Sequence, residues 1–502
     1  MSAPLDVPDS GTLRVQLGMP SAIDPGTAFE HDGALIAALL ADPLVDCDPA
    51  TGRLAPAAAS DWQVAPDGLS VRFALRPDVR FHHGRRVTAE DYRYALSRVA
   101  APGTDSAHAP LLSMIEGYED VRAGRDERLS GVQALDALLL EVRLNAPFHD
   151  IAAVFSHRAT TAVPAELAEA DPKGFARHPV GNGPYRLDAP WEPGADVVLE
   201  RFDGYYARNA AHATGGVGQA ARVVFRTHPD LAEGYAAFLR GETDVTEVPP
   251  TLITGAAAEG GPSFRVTPNP MVTFLGFPTG VPPYDDPVVR RAVAMCVDRE
   301  GIGRRHFGGT RPVAHRVLPP VLDPGGEPSD VIPYDPAGAR RLLAEHGAAP
   351  PDRFAFRFPA GQGHEGWAAD LASCVGAALG IPAEAVPVDR SVFLDELSSS
   401  NAPFRINWQV DFLSADNAIG PLLDGLPYGN PRVDDLLTAA RGVTDPAARL
   451  SRYREAESVL LSDLPLLPLW EGALYHLVSP RVRVRGPWTN PFGEPVLSQY
   501  GV

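Results

Sequence analysis

The stretch that most constrains the fold is a hairpin followed at once by a capped helix, at residues 58–99. Residues 69–75 alternate apolar and polar side chains, as expected of the returning strand of a hairpin. The turn is Pro66-Asp67-Gly68, where glycine supplies the positive φ. Thr88 is a natural N-cap for the helix, with Asp91 placed to complete a capping box. An apolar stripe along this helix is predicted to face a core.

A second stretch, Phe404 to Asp411, is predicted to be a buried strand that ends in a carboxylate. It carries a cation, an aromatic ring and an anion at three-residue steps, at Arg405, Trp408 and Asp411. A loop follows Asp411, so the strand could end at a cleft where the carboxylate binds a ligand's ammonium group. The alternative is an internal ion pair between Arg405 and Asp411 beside a core tryptophan. The residues alone leave both interpretations open.

Composition limits the classes of function. With 502 residues, the chain is predicted to form two or three domains. A net charge of −19 argues against nucleic-acid binding, because phosphate contacts need clustered cations. Cys47, Cys296 and Cys374 offer neither a disulfide framework nor the spacing of a metal site. The sequence shows no catalytic motif, phosphate loop or apolar run of membrane-spanning length, so we expect no enzyme activity, metal or cofactor.

Short motifs then follow one another in an order that resembles a known family. Each motif is weak alone, and in chain order they occupy residues 59–62, 66–69, 73–76, 79–84, 87–91, 131–136, 180–187, 199–206, 239–245, 286–293, 334–336, 430–437 and 464–470. Together they resemble the family 5 extracellular solute-binding proteins, which are the oligopeptide, dipeptide and nickel receptors of ABC importers. The resemblance extends over nearly the whole chain, from about residue 12 to residue 490.

This resemblance implies an α/β fold of the type II periplasmic-binding-protein kind. Such proteins have two lobes joined by crossing strands, with an extra α/β domain inserted in the first lobe. The expected division is 10–45, 180–265 and 471–502 for the first lobe, 46–179 for the inserted domain and 266–470 for the second ligand-binding lobe. Closure of two lobes about crossing strands is a hinge motion that encloses a ligand.

The resemblance also implies roles for the Phe404–Asp411 stretch. In oligopeptide-binding relatives, the aspartate of a Trp-x-x-Asp motif holds the ligand's α-ammonium group, and an arginine just before it can take the carboxylate end. Residues 408–411 match this motif without a gap, and Arg405 stands at the position of the arginine. We therefore expect Asp411 to bind the amine, and Arg405 to bind a carboxylate or to orient Asp411. Trp408 belongs to the same candidate site.

Two further places are candidates for the walls of the ligand site. Phe29-Glu30-His31 falls where relatives contribute a strand that pairs with the ligand. Its polar residues, Glu30 and His31, could add a negative pocket for a basic side chain or could lie at a solvent-exposed edge. Trp470 and Glu471 follow a proline-rich turn at the last crossing segment, with a core tryptophan as the alternative.

His82 and His83 raise the question of a metal, since some relatives carry nickel. Adjacent histidines of a strand point to opposite faces, so one site cannot easily use both. We therefore predict a structural loop at this position and no metal.

The leading hypothesis is an extracytoplasmic receptor that captures an oligopeptide or a cationic, arginine-like small ligand. It would act as a monomer and deliver the ligand to the permease of an ABC importer. The hypothesis from another class is a hydrolase or synthase on a binding-protein scaffold. Within the binding class, the alternatives are nickel chelates, opines and oligosaccharides.

The ends and the composition add two expectations. No export signal is visible at residues 1–5, so either the protein is cytosolic or its signal has been removed. Lys173 is the only lysine, and the arginine-, alanine- and proline-rich composition resembles that of actinobacterial proteins. Oligopeptide-receptor homologues occur there in antibiotic clusters such as those for clavulanic acid. This implies a role in an antibiotic pathway.

Overall fold

The computed structural model describes residues 11–49, 51–209, 218–328, 330–389, 392–393, 397 and 399–502. The chain divides into two compact units. Unit 1 consists of Met1–Pro249, Pro262–Arg265 and Tyr475–Val502, and unit 2 consists of Pro250–Gly261 and Val266–Leu474. Each unit combines strands with helices, so the α/β prediction is confirmed. The expected limits of the lobes and of an inserted domain stay predictions.

Strands and helices are interspersed along the whole chain. The strands are β1 (Thr12–Leu17), β2 (Val45–Cys47), β3 (Leu54–Pro56), β4 (Ala59–Val64), β5 (Ser70–Leu75), β6 (Val132–Asp136), β7 (Leu139–Arg143), β8 (Tyr185–Leu187), β9 (Val197–Arg201), β10 (Arg222–Thr227), β11 (Val245–Glu247), β12 (Phe264–Gly276), β13 (Phe354–Pro359), β14 (Ala383–Val388), β15 (Phe404–Gln409), β16 (Leu466–Val478), β17 (Arg483–Val484) and β18 (Tyr500–Gly501). The helices are α1 (His31–Leu40), α2 (Ala89–Ala100), α3 (Tyr118–Arg122), α4 (Ile151–Val154), α5 (Ala165–Ala170), α6 (Pro172–Arg177), α7 (Leu231–Leu239), α8 (Ile253–Glu259), α9 (Pro287–Met295), α10 (Arg299–Phe307), α11 (Pro336–His346), α12 (Glu365–Leu379), α13 (Ala415–Asp424), α14 (Pro431–Arg441) and α15 (Pro446–Asp463). Among the described residues, none of these helices combines the length and the apolar character needed to span a bilayer.

The main sheet of unit 1 has the strand order β11-β1-β10-β9-β8. β1 runs parallel to β10 and to β11, so it is flanked on both edges. Leu13, Val15 and Leu17 of β1 pack into one core with Ile36 and Leu40 of α1. The alternating apolar residues of β1 therefore face the same core as helix α1.

The hairpin predicted from the most patterned block is present in a smaller sheet of unit 1. This sheet is antiparallel, with the order β4-β5-β7-β6, and Gly68 in the β4–β5 turn has a φ of 71°. The capping box of α2 is also present. The backbone N–H and the hydroxyl of Thr88 both donate to Oδ2 of Asp91, each over 2.8 Å.

The sheet of unit 2 has the order β14-β13-β15-β12-β16, although Phe264 and Arg265 of β12 and residues 475–478 of β16 belong to unit 1. β13 is parallel to both β14 and β15, whereas β15 is antiparallel to β12. The three phenylalanines of β13 are buried in one core with residues of α9 and α12. Residues next to the helix ends define two helices of this unit. Asp286 accepts from the Val288 N–H over 2.8 Å at the start of α9, and Gly347 ends α11 with a φ of 63°.

Candidate ligand-binding site

The Phe404–Asp411 stretch is a strand in unit 2, as predicted, but the strand ends at Gln409. It pairs with β12 from Gly276 opposite Phe404 to Met271 opposite Gln409. Because side chains alternate along a strand, Arg405 and Trp408 point to opposite faces of the sheet. The three-residue spacing therefore does not bring the cation and the aromatic ring together.

Asp411 lies two residues beyond the strand, where Asn417 fixes its position. The Asp411 backbone N–H donates to Oδ1 of Asn417 over 2.7 Å, and Nδ2 of Asn417 lies 3.4 Å from Oδ2 of Asp411. The indole N–H of Trp408 donates to the Asn417 backbone carbonyl over 2.6 Å. Asn417 is in the first turn of α13, a helix that Ser414 caps by accepting from the Asp416 N–H. Trp408 and Asp411 are thus held by one residue, and the Asp411 side chain stays partly exposed.

Arg405 is a buried cation, and it forms no ion pair with any residue that the structure describes. Its side chain is 7% exposed, and Nε has no hydrogen-bond partner. Burial, and then the positive charge of Arg311, lower the pKa of Arg405 to about 9. The interpretation of an internal Arg405–Asp411 pair is therefore wrong.

The surroundings of Arg405 are electropositive. Arg311 lies over the Phe307 ring, with 4.6 Å between its guanidinium carbon and the ring centroid. Burial, and then the charges of Arg405 and Arg311, lower the pKa of His364 to about 3. The imidazole is therefore neutral near pH 7, and its Nδ1 accepts from the indole N–H of Trp367 over 3.3 Å. Such a setting favours an anion.

Trp470 lies in the core of unit 2 and has no exposed surface. Its ring meets those of Phe307 and Trp367 edge to face, with centroid distances of 5.2 and 5.3 Å. Its indole N–H donates to the Arg299 carbonyl over 2.9 Å. These contacts match the alternative of a core tryptophan, and we do not include Trp470 in the site. Glu471 is partly exposed, and burial raises its pKa.

Phe29, Glu30 and His31 lie together in unit 1, immediately before and at the start of α1. Phe29 is 58% exposed, and its ring centroid is 5.4 Å from that of His108. Glu30 is extended, with φ −73° and ψ 159°, and its carboxylate accepts a hydrogen bond from Ser21. His31 is the first residue of the helix. The described residues of this segment form no strand, so its pairing with a ligand stays a prediction.

The two adjacent histidines have different surroundings. Nδ1 of His82 accepts from the Gly181 N–H over 3.3 Å, and Nε2 lies 3.2 Å from the Gly183 carbonyl oxygen. Nε2 of His83 lies 3.6 Å from Glu166. Both nitrogens of His82 are therefore occupied by backbone groups. In the ranges that the structure describes, no cluster of three or more His, Cys, Asp or Glu side chains could hold a metal ion.

Three residues of this site were not predicted from the sequence. Asn417 follows Asp411 closely in the chain, and its place in the first turn of a capped helix was a usable signal. Arg311 and His364 come from other parts of unit 2 and reach Arg405 only through the fold. No local pattern marks them.

Comparison with known proteins places this chain among binding proteins. The profile described as "Bacterial extracellular solute-binding proteins, family 5 Middle" matches residues 53–430. The peptide transport periplasmic protein SapA of Salmonella typhimurium is 25% identical, over 98% of this chain and 92% of its own length. The dipeptide-binding protein DppE of Bacillus subtilis is 25% identical, over 86% of this chain and 82% of its own.

Solved structures are also similar over nearly the whole chain. The periplasmic murein tripeptide-binding protein MppA, in its unliganded open form, has a TM-score of 0.82 and 22% identity, and covers 99% of this chain and 98% of its own. Haemophilus influenzae OppA in complex with the peptide RPPGFSPFR has a TM-score of 0.77 and 22% identity, and covers 99% of this chain and 100% of its own. These likenesses confirm the predicted type II periplasmic-binding-protein fold.

Proposed function

The chain belongs to the bacterial extracellular solute-binding proteins of family 5, and we propose that it captures a short peptide outside the cytoplasm for an ABC importer. The observation that carries this proposal is the buried guanidinium of Arg405, which has no acidic partner among the described residues. A buried charge without a counter-charge is costly. The carboxylate end of a peptide would supply that counter-charge, in a charge-assisted hydrogen bond.

Asp411 complements Arg405 as the acceptor for the peptide's ammonium group. Its backbone and side chain are both hydrogen-bonded to Asn417, so the carboxylate is held in place before a ligand arrives. Such preorganisation lowers the entropic cost of binding. A ligand that uses both residues carries an amine and a carboxylate, as a free peptide does. The relatives include a peptide-transport protein and a dipeptide-binding protein, which supports this class of ligand.

Other ligands and other functions remain alternatives. An opine also carries amine and carboxylate groups, whereas an oligosaccharide would need neither Asp411 nor Arg405. A hydrolase on this scaffold would cleave the peptide that it binds. A role in an antibiotic pathway rests on composition alone.

Native mass spectrometry tests the proposed function. Protein that has been unfolded and refolded, to remove bound molecules, is incubated with a mixture of free peptides of two to nine residues. We expect complexes with one peptide per protein chain, and we expect the released peptide to have an unchanged mass. Retention of no peptide would contradict the proposal, and release of shorter fragments would favour the hydrolase alternative. The same peptides with acetylated amines and amidated carboxyls are the matched control, and they should not be retained.

A further inference from the structure

Unit 1 contains a small cavity at the start of α1 that no role described above uses. Its volume is about 20 Å³. Its polar lining includes Gln16 of β1, Glu247 of β11, His476 of β16, and His31 and Asp32 of α1. β11 and β16 are antiparallel neighbours, and Glu247 stands directly opposite His476. The two side chains therefore lie side by side on one face of the sheet.

Two buried side-chain nitrogens in this lining lack hydrogen-bond partners. Nε2 of Gln16 and Nδ1 of His476 have no hydrogen-bond partner, although the residues are only 5% and 3% exposed. The Oε1 atom of Gln16 accepts from the Glu247 N–H over 3.3 Å, which leaves Nε2 as the donor. Buried polar groups are normally satisfied, so unpaired ones in the wall of a cavity indicate an occupant.

The carboxylate of Glu247 is also unpaired. It forms no hydrogen bond or ion pair with any described residue, even though His476 is its cross-strand neighbour. Burial raises the pKa of Glu247, while His31 lowers it and Asp32 raises it. Burial lowers the pKa of His476 to about 3, so that ring is neutral near pH 7 and adds no positive charge. Oδ1 of Asp32 accepts from the Gly18 N–H, and its negative charge offsets the positive end of α1.

We propose that this cavity is a subsite for a primary ammonium group, the end of a lysine or ornithine side chain of a bound peptide. The lining carries two carboxylates, which favours a cation over a neutral group. The volume accommodates one group of the size of a water molecule, which fits an ammonium ion better than the larger guanidinium. The ammonium would donate to the carboxylate of Glu247 and to Nδ1 of His476.

This inference rests on the proposed function, and it deepens that function by naming the side chain. Glu30 and His31 were the residues expected to make a negative pocket. Glu30 is exposed and bonded to Ser21, whereas the unpaired acid is Glu247. The position of the negative charge therefore differs from the one that the sequence suggested.

Isothermal titration calorimetry with defined peptides tests the subsite. The probes are alanine tripeptides and pentapeptides that carry one lysine at each position in turn, and the same peptides with norleucine, serine or arginine in its place. At one position, the lysine peptide should bind about tenfold more tightly than the norleucine peptide and more tightly than the arginine peptide, because its side chain gains a partly buried ion pair. The Glu247→Gln variant should lose this preference and bind the norleucine peptide with unchanged affinity.

The control is Glu259→Gln, which changes an exposed carboxylate at the end of α8 and should keep the lysine preference. The lysine and norleucine peptides are compared on the unmodified protein, so this comparison tests the subsite even if Glu247→Gln folds poorly. Equal affinity of the lysine and norleucine peptides at every position would overturn the subsite but not peptide binding. A preference for the serine peptide would also overturn the subsite, because it would indicate a site for a hydroxyl group or a water molecule. Failure of all the peptides to bind would overturn the proposed function as well.

Discussion

Replacement of Asp411 by asparagine should weaken the binding of a free peptide by about 2–5 kcal/mol, the usual cost of removing one partner of a buried charge pair. Asparagine keeps the size of the side chain and its contact with Asn417, but it removes the negative charge that the ammonium group needs. Calorimetry with a peptide retained in the mass-spectrometry experiment measures the loss. The same peptide with an acetylated amine should bind the unmodified protein and the variant equally poorly.

Asp424→Asn is the matched control for this change, because Asp424 is an exposed carboxylate at the end of the same helix, α13. We expect it to leave the affinity unchanged. If Asp411→Asn also bound the free peptide with unchanged affinity, Asp411 would not belong to the site.

Replacement of Arg405 by methionine should have opposite effects on binding and on stability. Peptide affinity should fall by about 2–5 kcal/mol, because the ligand carboxylate loses its buried partner. The free energy of unfolding should stay the same or rise, because an apolar side chain replaces a buried cation that has no acidic partner among the described residues. Calorimetry and urea unfolding on the same preparation measure the two quantities. A C-terminally amidated peptide should bind the variant and the unmodified protein with similar affinity.

Arg304→Met provides the comparison, since the Arg304 side chain is 67% exposed on α10. It should alter neither quantity by more than about 0.5 kcal/mol. A large loss of stability in Arg405→Met with unchanged affinity would mean that Arg405 holds the fold together and does not bind a carboxylate.

Much of the fold could be predicted because its signals are local. The capping box of Thr88 and Asp91 and the Asp286 cap each depend on residues within one turn of a helix. In β1 the apolar residues alternate with polar ones, although Thr12 and Gln16 on the other face are buried as well. These patterns fix an element without knowledge of its neighbours.

The site was predictable only in part, because its residues meet through the sheet. Trp408 and Asp411 are close in the chain, and Asn417 holds both. Arg405 is also close in the chain, but strand periodicity turns it to the face opposite Trp408. Its neighbours Arg311 and His364 come from distant segments. In the same way, the pairing of Glu247 with His476 depends on a strand register that the sequence does not specify.

A crystal structure of the protein with a bound peptide would show both contacts at once. We expect the peptide's ammonium nitrogen to lie within about 3 Å of the Asp411 carboxylate, and its terminal carboxylate to be bonded to Arg405. A bound peptide whose amine and carboxylate both lie away from these two residues would contradict this expectation.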